Sequence, residues 1–138
     1  MPASLTCDGA GGSPALAWNA GPAGTRSFAL LVTDPDAPDG TFTHWVLFNI
    51  PAAAQSLAAG LSAQGEQADG SRQGANDFGQ TGYGGPCPPG HAPHRYVFEL
   101  FALDTQLDLP AGASRAQVEA ALHSHVLAQG RLVGVYHR

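Results

Sequence analysis

Two aspartates, Asp34 and Asp36, flank Pro35 in the segment TDPDAP, where an apolar run breaks into a stiff turn. His44 opens a second apolar run, HWVLFNI, and His94 opens a third, HRYVFELFAL. A carboxylate beside an imidazole favours the charged ring, which then offers two N–H donors to an anion. Gly85 and Pro86 start a proline-rich stretch, and a glycine lets a ligand approach the backbone, whose N–H can meet an oxyanion. Tyr96 adds a phenolic hydroxyl two residues after His94. Each has a plainer reading as well. Asp beside Pro makes an Asx turn, a histidine at a strand end is often only a satisfied polar residue, and Tyr96 fits a core position. Two histidines at matching ends of two adjacent strands would reach one rim, which favours an anion site.

Other chemistries find less support. Two His and two Asp are a possible metal set, but no HxH, HExxH or cysteine pair supplies ligand spacing. His123 and His125, read as two apart on a helix, would face away from each other. Cys87 with His91 or His94 imitates a cysteine nucleophile, yet its flanking prolines exclude a helix N-terminus that would lower the thiol pKa. No GxSxG elbow, phosphate-binding loop or dinucleotide fingerprint occurs. The expectation is a protein without metal, cofactor or catalytic residues.

The elements that must position these residues can be read from periodicity. Ser27–Val32 reads as a buried strand, His44–Ile50 as a second and Tyr96–Leu103 as a central third, apolar on both faces. Residues 52–82 are poor in large apolar side chains and read as a long surface excursion. Residues 82–96, GYGGPCPPGHAPHRY, must be irregular but stiff. A helix follows, with Ser114 and Gln117 as a capping box, Val118, Leu122 and Val126 on one face, and Gly130 as its stop. Arg131–His137 reads as a last strand.

Composition bounds the rest. The chain has 138 residues, the size of one domain spanning 1–138, with a net charge of −5. Eighteen glycines and 11 prolines disfavour a helical bundle and suit a loop-rich β domain. All six basic residues are Arg and none cluster, so no nucleic-acid footprint exists. No apolar run is long enough for a transmembrane segment and no signal-peptide pattern is seen, so the expected location is cytoplasmic. Cys7 and Cys87 would then be free thiols.

The pieces TCDGAGGSPALAW, TDPDAP, HWVLFNIP, NDFGQTGYGGPCPPG and HRYVFELFALD, in this order, resemble the phosphatidylethanolamine-binding protein family, in particular its bacterial Raf-kinase-inhibitor-like branch. The resemblance covers nearly the whole chain. It implies a mainly β fold of α+β type: a central antiparallel Greek-key sheet, a second smaller sheet, and one or two peripheral helices. It also implies a small anion pocket at the sheet rim, walled by Asp34, Asp36, Pro38, His44, Gly85, Pro86, His94 and Tyr96, that accepts phosphate-like groups and phosphoethanolamine. Under that fold Cys7 and Cys87 could come near each other. The chain departs from the family in a short front end, consistent with a lost edge strand or a late start. It also lacks the eukaryotic C-terminal helical extension and has no lysine, which argues against eukaryotic-style kinase regulation.

The expected function is a non-enzymatic, preformed site for a small phosphate-containing or zwitterionic ligand. The protein would act alone or as a regulator of a partner, as a monomer or homodimer. The alternatives are an inhibitor of a kinase or serine protease acting through a surface loop, and a weak His/Asp-dependent hydrolase.

Overall fold

In the computed structural model, which describes residues 1–138, the three apolar runs lie side by side as strands. In chain order the elements are β1 (Leu16–Ala17), β2 (Ser27–Asp34), β3 (Phe42–Pro51), β4 (Ser56–Leu57), β5 (Arg72–Gln73), β6 (His94–Leu103), α1 (Arg115–Leu122) and β7 (Val126–Tyr136). One sheet has the order β5-β3-β2-β6-β7, with every neighbour antiparallel. The β2–β3 hairpin continues to β5, and β6 then returns by a long connection to the open side of β2, which is a Greek key. A second sheet of two strands joins β1 to β4.

Both faces of the central strands are covered, which is why their sequences run apolar without alternation. Phe28, Leu30 and Val32 point to one face with Trp45, Leu47, Tyr96 and Phe98. Ala29 and Leu31 point to the other with Val46, Phe48, Phe101 and Leu103, where Val118 and Leu122 of α1 pack.

Three expectations need correction. The helix has its capping box, with Gln117 N–H donating to Ser114 Oγ at 3.1 Å, but it ends at Leu122. Val126 belongs to β7, which pairs with β6 along its whole length, and Gly130 sits mid-strand opposite Leu100. An extended β7 gains that entire ladder, more than one further helical turn would supply. His123 therefore only caps the helix, and His125 lies beyond it with Nδ1 at 2.7 Å from Asp104. Residues 52–82 are not merely surface. Ser71, Gln73 and Asn76 are buried, and Gln73 accepts a hydrogen bond from Trp45 Nε1 at 2.8 Å while donating to the carbonyls of Ser62 and Gln64. Polar side chains anchor this segment, so hydrophobic periodicity could not reveal it. Finally, Cys7 and Cys87 are joined in a disulfide. The N-terminal segment lies against residues 83–87, with Cys7 N–H donating to Pro86 O at 3.1 Å, so the two sulfurs meet. No helix is long and apolar enough to cross a membrane.

Asn49 marks a bulge near the end of β3, where the register shifts between Phe28↔Ile50 and Leu30↔Leu47. Its φ is 55°, and its side chain both donates to Leu107 O (2.9 Å) and accepts from Leu107 N–H (2.7 Å). Asn49→Ala loses both bonds and keeps the left-handed backbone, so it should cost about 2–4 kcal/mol in urea unfolding. Asn49→Gly loses only the bonds and should cost less. Equal losses would show that the backbone conformation carries no strain.

Candidate functional site at the β2, β3 and β6 rim

The end of β2 and the starts of β3 and β6 meet at one rim of the sheet, and the side chains there depend on a second bulge. Val32 pairs with Trp45, but Thr33 pairs with Thr43, so His44 is the extra residue with no partner on β2. A bulge turns two successive side chains to one face. Trp45 and His44 thus both point to the face that carries Tyr96, and the His44 ring meets the Tyr96 ring edge-on with centroids 5.2 Å apart. The backbone carbonyl freed at His44 accepts from Gly84 N–H at 2.8 Å, and His44 Nδ1 lies 2.6 Å from Gly84 O. A carbonyl only accepts, so Nδ1 carries the proton and Nε2 is the free nitrogen.

His94, the first residue of β6, is fixed the same way by a carboxylate. Its Nδ1 lies 2.6 Å from Asp34 Oδ2, and both side chains are buried. The other Asp34 oxygen accepts from Asp36 N–H at 2.7 Å. Neither histidine Nε2 nor the Tyr96 hydroxyl has a protein partner, yet no buried side-chain nitrogen or oxygen is unsatisfied. All three atoms therefore reach solvent, and all three residues line one cavity of about 560 Å³, a size suited to a small ligand. Asp34, Pro38, Asp39, Phe42, Asp77, Phe78, Cys87, Pro88 and Pro89 complete most of its wall.

Three residues expected in the wall stand behind it. Asp36 forms a bidentate pair with Arg95 at 2.9 Å, which holds its carboxyl at about 2. That clamp sets the turn rather than facing the cavity. Pro86 is buried beneath the wall. Gly85 packs on the N-terminal segment so closely that a Cβ would stand 2.7 Å from Leu5 O, which is the reason a glycine is required. The residue that touches His44 is its neighbour Gly84. Sequence reading also missed Phe42, Asp77 and Phe78. Phe42 and Phe78 meet at 4.8 Å, and Phe78 is 46% exposed. A phenylalanine beside glycine in the polar run NDFGQ was the signal for a lip residue.

A second cavity of about 530 Å³ lies under Trp18, but its lining is mostly apolar and contains none of the titratable candidates. The titratable candidates converge at the rim.

The comparisons with known proteins agree with this architecture. The profile of the phosphatidylethanolamine-binding protein family matches residues 1–137. The chain is a member of that family. A "UPF0098 protein" of Aquifex aeolicus is 49% identical, over all of this chain and 81% of the relative. Escherichia coli YbhB is 43% identical, over 94% of this chain and 84% of YbhB. The crystal structure of Escherichia coli YbcL, described as a member of the mammalian PEBP family, superposes with a TM-score of 0.90 at 36% identity, over all of this chain and 90% of that one. A putative family homologue from Chlamydia trachomatis gives the same TM-score at 34% identity, over all of this chain and 89% of that one. The family fold thus comprises both antiparallel sheets and the peripheral helix seen here.

Charge in the cavity is unbalanced. Asp34, Asp39 and Asp77 line it and no Arg or Lys does. Burial pushes the His44 pKa below its ordinary 6.5, against the opposing pull of the Gly84 carbonyl and the charges of Asp34 and Asp77. Burial, reinforced by the charge of Asp34, raises that of Tyr96, so its hydroxyl stays a donor.

A group whose folded pKa lies below its unfolded value takes up its proton first in the unfolded chain. The stability that neutral His44 confers is complete above about pH 6.5 and is lost as pH falls through the folded value. His44→Gln should therefore narrow the gap in melting temperature between pH about 7.5 and about 5.5. A gap as wide as that of the unaltered protein would show that His44 is not the buried neutral group.

Proposed function

We propose that the rim cavity binds a small zwitterionic phosphate compound of the phosphoethanolamine class, without chemical conversion. The observation that carries this reading is the convergence of His44 Nε2, His94 Nε2 and Tyr96 Oη in a cavity whose only fixed charges are carboxylates. A bare phosphate dianion would face Asp34, Asp39 and Asp77, a repulsion of a few kcal/mol at an effective dielectric near 20. A ligand that carries its own ammonium removes that conflict. The ammonium meets the carboxylates and the faces of Phe42 and Phe78, while the phosphate takes the Tyr96 O–H and the two imidazoles. His44, neutral at rest, receives a proton from a protonated phosphate oxygen or takes one from solvent on binding.

Hydrolysis is the weaker reading. His44 or His94 could serve as a base, but Cys87, the one cysteine in the wall, is held in the disulfide and offers no thiol nucleophile. One feature favours a protein partner as the carrier of the phosphate. Exposed Phe78 and half-buried Phe42 form an aromatic lip, a surface that a phosphorylated segment would meet before its phosphate reached the cavity. Regulation of a kinase or protease would act through that lip.

Isothermal titration at slightly acid pH should show phosphoethanolamine binding at least about tenfold tighter than inorganic phosphate or ethanolamine alone. Equal affinity for phosphoethanolamine and phosphate removes the zwitterion reading. His44→Ala should abolish binding while the chain stays folded. Tyr96→Phe should cost about 0.5–1.5 kcal/mol of affinity. Full binding by the His44 variant would place the ligand elsewhere.

A further inference from the structure

One half of the disulfide lines the cavity. Cys87 lines it together with Pro88 and Pro89, and both cysteines are exposed residues. The segment that Cys87 belongs to has no strand partners over residues 84–89. It is held instead by the N-terminal segment. Tyr83 Oη donates to Leu5 O at 2.7 Å, Gly85 packs on Leu5 and Thr6, Cys7 N–H donates to Pro86 O, and the disulfide closes the set. This segment in turn holds His44 through both polar atoms of Gly84. The Arg138 guanidinium, paired with Asp8 at 3.0 Å, stands 4.0 Å from Cys87 Sγ, where its remaining positive field would favour a leaving thiolate.

We propose that Cys7–Cys87 is a redox-responsive latch on the ligand cavity, opened by a dithiol reductant; this rests on the phosphate-binding reading above. A reductant thiolate attacks Cys7 Sγ, the S–S bond breaks, and Cys87 leaves as a thiolate beside Arg138. The second thiol of the reductant then attacks its own sulfur in the mixed disulfide. Cys7 is released and the reductant leaves as a cyclic disulfide. Two electrons pass to the cysteines, and the two protons lost by the reductant match those the cysteine sulfurs can take up. Two effects then weaken a phosphate ligand. The wall at residues 84–89 loses its covalent tie, and a negative sulfur replaces a neutral one in the lining.

The test compares the full chain oxidised and reduced with dithiothreitol, with phosphoethanolamine as probe. Reduction should weaken binding about tenfold. By linkage, saturating phosphoethanolamine must then shift the disulfide–dithiol equilibrium by the same factor, about 30 mV for this two-electron couple, read by thiol trapping. Native-state hydrogen exchange supplies an arm that needs no ligand: amides of residues 83–90 should exchange faster after reduction while those of β2, β3 and β6 stay protected. The Cys7→Ser, Cys87→Ser double variant should reproduce the faster exchange. Unchanged exchange at residues 83–90, or equal affinity in both states, overturns the latch and leaves the binding reading intact. Absence of binding in the oxidised protein overturns the binding reading. Loss of binding accompanied by exposure of buried Trp45, read in its fluorescence, overturns the latch in favour of a global staple.

Discussion

The site hangs on one extra residue in β3. Without the bulge at His44, strict alternation would turn its ring to the opposite face from Trp45, away from Tyr96 and His94. The bulge also frees a backbone carbonyl, which must find a donor because it is buried. Gly84 supplies that donor and accepts the imidazole proton in return. A single two-bond clip therefore satisfies the irregular strand, fixes the tautomer, and ties the proline-rich segment to the sheet. Asp34 performs a related task at the neighbouring strand end, holding His94 with one oxygen and the Asp36 turn with the other.

These clips let the cavity present fixed polar groups without a cationic side chain in its lining. Long flexible Lys or Arg side chains would bring charge at the cost of ordering several torsions. Imidazoles held at Nδ1 present Nε2 in a fixed direction with nothing left to order. On the proposed reading, binding and protonation are coupled. His44 is neutral because burial outweighs the pull of the Gly84 carbonyl, Asp34 and Asp77, so on that reading an anion that arrives with its own proton, or that makes uptake of one favourable, would be selected over a bare dianion. The three carboxylates in the wall push in the same direction.

Much of this was legible in the sequence. The three apolar runs are the three central strands, and Asp34, His44, His94 and Tyr96 do share a rim. What could not be read has identifiable causes. Registers are set by pairing between distant strands, so the bulge at His44 has no local signature. Asp36 and Gly85 carry the right residue types but are spent on structure, one on Arg95 and the other on close packing against Leu5. Glycine in a Pro-rich segment signals close approach of something, without saying whether it is a ligand or the chain itself. Gln73 buried under Trp45 and the β7 ladder replacing a longer helix are cases where tertiary partners outweighed local pattern.

The cysteines show the same limit from another side. Spacing and presumed compartment argued for two free thiols, but neither quantity contains the distance between them. That distance is set by the N-terminal segment, which reaches the cavity wall through Tyr83, Gly85 and Pro86 before any covalent bond is considered. The disulfide therefore reinforces an approach that non-covalent contacts already make. A loop of 80 residues closed in this way restrains the unfolded chain. Its local effect in the folded state falls on a segment with no ladder of its own. The chain's proline content stiffens that segment, and its few hydrogen bonds to β3 pass through Gly84. Order in the wall and order of the His44 ring are consequently linked, because both bonds of Gly84 join them.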